Sequence, residues 1–149
     1  MNSVVLDASF VVKLLADEPG SDHCRALMAM IRGARRLMPS HAVAEIVEVL
    51  RRKLRKGLLP RRQLEIAVEV LPSIADELSA SALIPGAVAI ADRHGITIYD
   101  ALYVAAADQA GAVLITADLK LTERLDGSAF DHLILGVAQD GSHRGRGSI

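Results

Sequence analysis

Two short apolar runs, each followed by an aspartate, constrain the fold of this chain more than any other feature. The run VVL at 4–6 leads directly into Asp7, and the run AVLIT at 112–116 stops two residues before Asp118. Short continuous apolar runs bounded by polar residues are typical of buried strands. Each predicted strand is therefore followed by a carboxylate close to its carboxyl end.

Helical spacing of apolar residues fills most of the chain around these two strands. We predict helices over about 10–18, 21–33, 40–57, 60–71, 82 or 85 to 94, 99–110 and 119–125. Ser21 and Ser40 are the predicted N-caps of the second and third helices. A weak strand at 37–39, another just before the fifth helix and a last edge strand at 133–136 complete the pattern. Strands that alternate with helices predict an α/β fold, with a central, mostly parallel sheet flanked by helices in three α/β/α layers.

The composition supports one folded domain rather than a disordered chain. Hydrophobic residues make up 51% of the 149 residues and charged residues 23%, which supplies enough apolar surface for one core. The chain has no Trp, two Phe and two Tyr, a balance that favours helices packed on a sheet over an aromatic-rich β-sandwich. We predict a domain over 1–138 and a flexible, Gly-rich tail over 139–149, part of which resembles a vector-derived addition.

Charge and cysteine content exclude several classes of protein. The formal net charge is −1, so any contact with nucleic acid must come from a local basic patch. Cys24, the single cysteine, excludes an internal disulfide framework and a thiolate zinc cluster within one chain, and we expect it to be a buried helix residue. The N-terminus lacks a basic leader, and no apolar run reaches ~18 residues. These features predict a cytoplasmic protein that does not contact a membrane.

Acidic residues lie where the predicted strands end and the helices begin. Asp7 and Asp118 follow the two strands, and Asp100 stands in the first turn of the helix over 99–110. Taken singly, the first two are ordinary turn residues and Asp100 an ordinary N-cap. Ligands of open α/β sheets bind at the carboxyl ends of the strands, so three acids in such positions together favour a functional site.

The helix after Ser40 carries two further acids, of which one fits a site. Glu48 has Arg51 and Arg52 three and four residues ahead, the spacing of a solvated ion pair. Glu45 lies at the edge of the apolar stripe and has no basic residue one turn ahead. We therefore predict Glu45 as the functional acid of this helix.

A cluster of these four acids requires neutralisation. At ~4 Å and an effective dielectric of ~20, each like-charged pair costs roughly 4 kcal/mol. Protons or a cation remove this cost. Hard oxygen ligands without cysteine or paired histidines select Mg²⁺ or Mn²⁺ over zinc. His23, His41, His94 and His132 show no metal-binding spacing and are expected at the surface or at helix ends.

Several segments resemble one known family. The stretches VVLDAS, SHAVAEIVEVL, HGITIYDALYVAAADQAGAVLITAD and the final LIL resemble PIN-domain ribonucleases, specifically the VapC-type toxins of bacterial and archaeal toxin–antitoxin pairs. The most specific element is YDALYVAAA followed by a strand that ends in TAD. The resemblance covers nearly the whole chain before the tail, except the segment over about 60–86.

The resemblance implies a function and a set of site residues. The four acids match the catalytic set of the family: Asp7, Glu45, Asp100 and Asp118. It implies that Asp7, Asp100 and Asp118 hold the metal, that Glu45 ligates it or orients the water, and that the hydroxyls of Ser9 and Thr116 line the site. It further implies Mg²⁺- or Mn²⁺-dependent endonucleolytic cleavage of RNA, a homodimer, and a small VapB-type antitoxin protein that blocks the site.

Basic residues concentrate in one part of the chain. Ten of the seventeen Lys and Arg residues lie between positions 32 and 62. A solvated helix face and a phosphate-binding surface explain this equally well. In the second case Arg51, Arg52 and Arg55 would contact RNA. No interleaved aromatic residues indicate base stacking in this segment.

Other functions compatible with Asp7 remain open at this stage. A haloacid-dehalogenase-like phosphatase also places an aspartate after its first strand but needs a second two residues later, where this chain has Ser9. A receiver-like signalling domain needs paired acids at the first strand, and Asp7 stands alone. A solitary PIN nuclease in RNA processing, or a PIN fold kept only for binding, is also consistent with the sequence.

Overall fold

The computed structural model describes residues 3–149. Within these residues the chain forms one sheet of strands β1 Ser3–Leu6, β2 Arg35–Pro39, β3 Asp76–Leu78, β4 Val113–Thr116, β5 Ile134–Val137 and β6 His143–Arg144. Their order across the sheet is β3-β2-β1-β4-β5-β6. The first five pair in parallel, and β6 pairs antiparallel with β5. The predicted mostly parallel sheet is confirmed.

Helices flank this sheet as predicted, giving a three-layer α/β/α domain. They are α1 Ala8–Leu15, α2 Ser21–Met30, α3 Ala42–Arg55, α4 Arg61–Ile74, α5 Ala80–His94, α6 Ile98–Ala110 and α7 Leu119–Leu125. Helix α6 packs on β1, β2 and β4, while α5 packs on α6. Because α6 is covered by both sheet and helix, its residues from Ala101 to Ala107 are all buried, which explains its apolar sequence.

The centre of the sheet positions the candidate site. Strand β1 lies between β2 and β4, and its residues Val4, Val5 and Leu6 are completely buried. The chain builds outward from β1 to β2 and β3 on one side, and then β4 and β5 extend the other side. The order of strands therefore reverses between β1 and β4, the position where open α/β sheets bind their ligands. Asp7 and Asp118 follow these two strands.

Several predicted helix starts are wrong, because tertiary contacts use the hydroxyl groups in question. Gly20, at a φ of 91°, occupies the cap position of α2, while the Ser21 hydroxyl donates to the carbonyl of Ala16 at 2.8 Å. The Ser40 hydroxyl accepts from the backbone N–H of Ala80 at 2.9 Å and so ties the start of α5 to the end of β2. Helix α5 begins at Ala80, earlier than predicted, since Ser79 caps it.

The end of the chain runs along the sheet. Strand β5, predicted as the last edge strand, is covered by β6; two polar residues give no apolar pattern from which β6 could be predicted. The backbone N–H of Gly147 donates to the carbonyl of Ile134 at 2.8 Å, and Arg146 forms an ion pair with the buried Asp131 at 3.2 Å. The domain boundary at 138 and the flexibility of 139–149 stay predictions.

One further sequence-based expectation concerns burial. Cys24 is buried within α2, as expected. In the part of the chain that the structure describes, none of the helices has the length and apolar character needed to cross a bilayer.

Candidate active site

Asp7 is the most enclosed acid of the site. It stands between β1 and α1, and only 4% of its surface is exposed. The hydroxyls of Ser9 and Thr116 both donate to its Oδ2 atom, the second at 2.6 Å. The same two hydroxyls accept from the chain after β4: Thr116 from the N–H of Asp118 at 2.9 Å, and Ser9 from the N–H of Ala117 at 3.0 Å. The network joins the carboxyl ends of β1 and β4.

The surroundings of Asp7 disfavour the ionised form of its carboxyl group. Burial raises the pKa of this carboxyl from 3.8 to about 6, against the lowering effect of the hydrogen bonds from Ser9 and Thr116. The negative charges of Asp100 and Asp118 raise the pKa of Asp7 further. The site thus concentrates negative charge around Asp7.

Thr116→Val is expected to lower the free energy of unfolding by about 1–3 kcal/mol. The change removes a buried donor to Asp7 and the acceptor for the N–H of Asp118, and an unsatisfied buried group costs that much. Urea unfolding without metal measures the effect. Thr116→Ser keeps the hydroxyl and is the matched control, so equal stability of the two variants would contradict the role assigned to this network.

Asp118 and Asp100 occupy different positions at the starts of their helices. Asp118 caps α7, with its Oδ1 atom accepting from the N–H groups of Lys120 and Leu121 at 3.1 and 3.2 Å. The predicted capping role of Asp100 is wrong, because Thr97 caps α6 and its Oγ1 accepts from the N–H of Asp100 at 3.1 Å. Burial raises the pKa of the Asp100 carboxyl, and the charge of Asp118 adds to this. The two carboxylates are therefore electrostatic neighbours.

Glu45 joins the cluster from α3. Its Oε2 atom accepts from the hydroxyl of Tyr103 at 3.1 Å. Burial raises the pKa of the Glu45 carboxyl from 4.5 to about 7; the charge of Asp7 is the next cause, with smaller contributions from Asp100 and Asp118. The other acid of this helix, Glu48, is exposed. The structure thus brings together the four predicted acids.

Tyr103 and His41 lie beside Glu45, and neither was predicted as a site residue. Tyr103 is completely buried on α6, and the ring of His41 packs against it with centroids 4.9 Å apart. His41 Nε2 is 3.5 Å from Glu45 Oε2, and burial lowers the pKa of the imidazole. A buried tyrosine needs a partner for its hydroxyl. The sequence therefore offered one signal for a polar contact here, the phenol of Tyr103 within an otherwise aliphatic helix face.

The donor set fits a hard divalent cation. The cluster offers carboxylate oxygens, and burial, with a smaller contribution from the neighbouring acids, raises the pKa values of Asp7, Glu45 and Asp100. Across residues 3–149, no three His, Cys, Asp or Glu side chains are placed closely enough to enclose an ion by themselves. Mg²⁺ does not require such a cage, because it keeps several waters and binds through one or two carboxylates. The residues present therefore fit Mg²⁺ or Mn²⁺.

The three arginines predicted to contact RNA have different surroundings. Arg51 and Arg55 both pair with Glu48, at 3.0 and 3.3 Å. Glu48 was predicted to pair with Arg51 and Arg52, and the second part is wrong because Arg55 takes that position. Arg52 instead lines a cavity of about 570 Å³ together with Glu45 and Asp100. Of the three, Arg52 is the one beside the acidic cluster.

Comparison with known proteins decides the family. The sequence model of the PIN domain matches residues 4–128, a span that holds all four acids. The chain belongs to the PIN-domain family. Ribonuclease VapC3 of Mycobacterium tuberculosis is 38% identical to this PIN domain over 119 residues, which cover 79% of this chain and 84% of that protein. The predicted family resemblance is confirmed.

Solved structures share the fold of this PIN domain. The crystal structure of PAE2754 from Pyrobaculum aerophilum superposes with a TM-score of 0.65 at 20% identity, covering 93% of this chain and 85% of that one. A toxin–antitoxin complex from Klebsiella pneumoniae contains a chain with a TM-score of 0.56 at 16% identity, covering 85% and 93%. At these identities the likeness establishes the fold alone. Asp7 after the first strand is now explained by the PIN-domain fold. It therefore no longer favours a phosphatase or a receiver-like domain.

Proposed function

We propose that this protein is a divalent-metal-dependent endoribonuclease of the VapC type, the toxin of a toxin–antitoxin pair. One observation carries the proposal: four carboxylates from separate parts of the sequence meet at the strand-order reversal, where burial and mutual repulsion raise the pKa values of three of them. The 38% identical relative named Ribonuclease VapC3 supports the same reaction class.

Asp7, Asp100 and Asp118 would hold the metal, Mg²⁺ or Mn²⁺. When bound, such an ion polarises a phosphoryl oxygen and lowers the pKa of water. The protein supplies rigid ligands, since the hydroxyls of Ser9 and Thr116 fix the carboxylate of Asp7. The cap bonds to Lys120 and Leu121 do the same for Asp118.

Glu45 is the group that we assign to proton transfer. In hydrolysis, the oxygen of a water molecule bonds to phosphorus, one ester P–O bond breaks, and the departing ribose oxygen takes up a proton. A base that takes the proton of the water works best when its pKa is near the working pH. Burial and the neighbouring acids raise the pKa of Glu45 to about 7, and the Tyr103 hydroxyl holds its Oε2 atom in place. Arg52, beside this centre, is suited to bind a phosphate of the RNA.

The proposed partners follow from the relatives. A solved neighbour is a toxin–antitoxin complex, and we propose that a small VapB-type antitoxin covers the acidic centre of this protein. We also propose a homodimer in the cytoplasm. We place the proposed dimer interface on α5, where Ile84 and Val88 lie one turn apart and are 40% and 45% exposed.

The test of the proposed function is metal-dependent RNA cleavage. Purified protein stripped with EDTA is expected to leave a single-stranded oligoribonucleotide intact, and added Mg²⁺ or Mn²⁺ to start endonucleolytic cleavage. Ca²⁺ is the matched control, because it binds oxygen ligands with looser geometry. Cleavage that persists in EDTA would contradict metal dependence, and hydrolysis of phosphomonoesters in place of RNA would contradict the proposed substrate class.

A further inference from the structure

Tyr99 is a large aromatic side chain placed beside the site and left in solvent. It occupies the first turn of α6, next to Asp100, and is 62% exposed. The chain has two Phe and two Tyr. Of the other three, Phe10 and Tyr103 are completely buried, and Phe130 is partly buried against the core. The described structure therefore exposes one such ring, and that ring adjoins the acidic centre.

The surroundings of Tyr99 hold its ring at the edge of a cavity. The imidazole of His41 lies 6.3 Å from the Tyr99 ring, centroid to centroid, with 39° between the planes. His41 is in turn packed against the buried Tyr103. A row of three rings thus leads from the interior to the surface. The cavity of about 570 Å³ is lined by the rings of His41 and Tyr99, by Arg52, and by the carboxylates of Glu45, Glu48 and Asp100.

The side chains that line this cavity indicate which kind of ligand it binds. An exposed aromatic face binds the flat face of any nucleobase, and each stacked base adds substantially to the affinity for single strands. Arg52 offers a positive charge for the phosphate of the same nucleotide. The cavity volume lies within the roughly 300–1,000 Å³ of sites that enclose small ligands. An unpaired nucleotide satisfies the apolar face, the cation and the volume together.

We propose that Tyr99 is the stacking platform for one unpaired nucleobase of the RNA, next to the phosphate that is cleaved. The inference rests on the proposed ribonuclease function and adds a requirement for single-stranded substrate, because a base within a duplex cannot present its face to a side chain. The sequence showed no interleaved aromatics. The fold nevertheless combines Tyr99 and His41, 58 positions apart in the chain, into one surface.

Substitution of Tyr99 separates stacking from catalysis. Tyr99→Ala is expected to raise the KM for a single-stranded oligoribonucleotide about 5- to 150-fold, the range for loss of one stacked base. The effect on kcat should be small, since the four acids remain. Tyr99→Phe and Tyr99→Trp keep a ring and should stay close to the wild-type KM. Because Tyr99 is exposed, urea unfolding should show the same midpoint for all four proteins.

Abasic substrates identify the stacked nucleotide. An abasic position is moved one nucleotide at a time through the oligoribonucleotide. One position is expected to raise the KM of the wild-type protein as much as Tyr99→Ala does and to leave the KM of the Tyr99→Ala variant unchanged. Equal KM values for wild type and Tyr99→Ala would overturn the inference, as would a loss at that abasic position that is the same in both proteins. If Tyr99→Ala changed only the inhibition by the antitoxin and not the KM for RNA, the inference would be overturned, and Tyr99 would be a contact for the antitoxin protein.

A binding measurement keeps this inference distinct from the proposed function. Tyr99→Trp introduces the sole tryptophan of the chain, whose emission is expected to change on addition of single-stranded RNA in EDTA and not on addition of the duplex. If wild-type protein with Mg²⁺ cleaves no RNA while this emission change occurs, the nuclease proposal fails and the stacking site stands. If cleavage occurs and the emission is unchanged, the stacking site fails alone.

Discussion

Asp100→Asn is expected to abolish Mg²⁺-dependent cleavage of RNA while the protein stays folded. The change removes a charge from the centre and leaves the helix cap intact, because Thr97 accepts the Asp100 backbone N–H and this bond does not involve the carboxylate. Loss of an outer partner of a metal ligand already costs about 10–100-fold. We therefore expect a loss of at least about 100-fold in kcat/KM for this variant.

The matched control for Asp100→Asn lies on the same helix. Asp108→Asn makes the same chemical change at an exposed position near the other end of α6 and should leave cleavage unchanged. Titration of Mn²⁺ into the metal-free proteins provides a readout besides activity, with weaker binding expected for Asp100→Asn alone. Full cleavage by the Asp100→Asn variant would contradict the assignment of Asp100 to the active site.

Asp7→Asn is expected to have opposite effects on activity and stability. Activity should fall as for Asp100, because a proposed metal ligand is lost. Above pH 6 the metal-free Asp7→Asn protein should be more stable than the metal-free wild type, because the buried charge is removed. The pKa of Asp7 is raised from 3.8 to about 6 on folding. The proton therefore favours the folded state, and the stabilisation is complete below about pH 3.8 and is lost as the pH rises through 6.

The size of this effect follows from the shift of the Asp7 pKa. A rise from 3.8 to about 6 corresponds to roughly 3 kcal/mol at pH 8. Urea unfolding of metal-free wild type between pH 4 and 8 should show this decline, and the Asp7→Asn variant should show a smaller one. A residual decline is expected, since the pKa values of Glu45 and Asp100 are also raised. Identical declines in both proteins would contradict the uncompensated charge at Asp7.

Mg²⁺ should reverse the loss of stability in the wild-type protein. A cation that binds the folded state alone stabilises it in proportion to the logarithm of its concentration over Kd. The stabilisation by Mg²⁺ is therefore expected to be larger at pH 8 than at pH 5, because protons compete for the same carboxylates at low pH. The Asp7→Asn variant should gain much less at either pH.

The features predicted correctly from the sequence are those that the local pattern encodes. Strands β1 and β4 are continuous apolar runs, and each is followed by its acid. Helix α6 is apolar on every face from Ala101 to Ala107, so that Asp100, just before this segment, stands out. Parallel strands bring their carboxyl ends to one edge of the sheet. Position at strand ends was therefore enough to predict the meeting of Asp7 with Asp118.

The features that the sequence did not reveal depend on contacts between distant segments. Tyr103 reaches Glu45 across 58 positions of sequence, and no local pattern encodes such a bond. Thr97 caps α6 because it has the extended backbone of a cap residue, with φ of −69° and ψ of 157°, while Asp100 already lies in the first helical turn. The pairing of Arg55 with Glu48 spans seven residues and lies outside the spacing rule used for helices.

The central claim is that four carboxylates form a metal-dependent centre for RNA cleavage, and one side-by-side assay tests it most directly. Wild-type, Asp100→Asn and Asp108→Asn proteins are stripped of metal, mixed with a single-stranded oligoribonucleotide, and followed with and without Mg²⁺. We predict cleavage by wild type and Asp108→Asn in Mg²⁺ alone, and none by Asp100→Asn. Equal cleavage by all three proteins, or cleavage by wild type in EDTA, would contradict the claim.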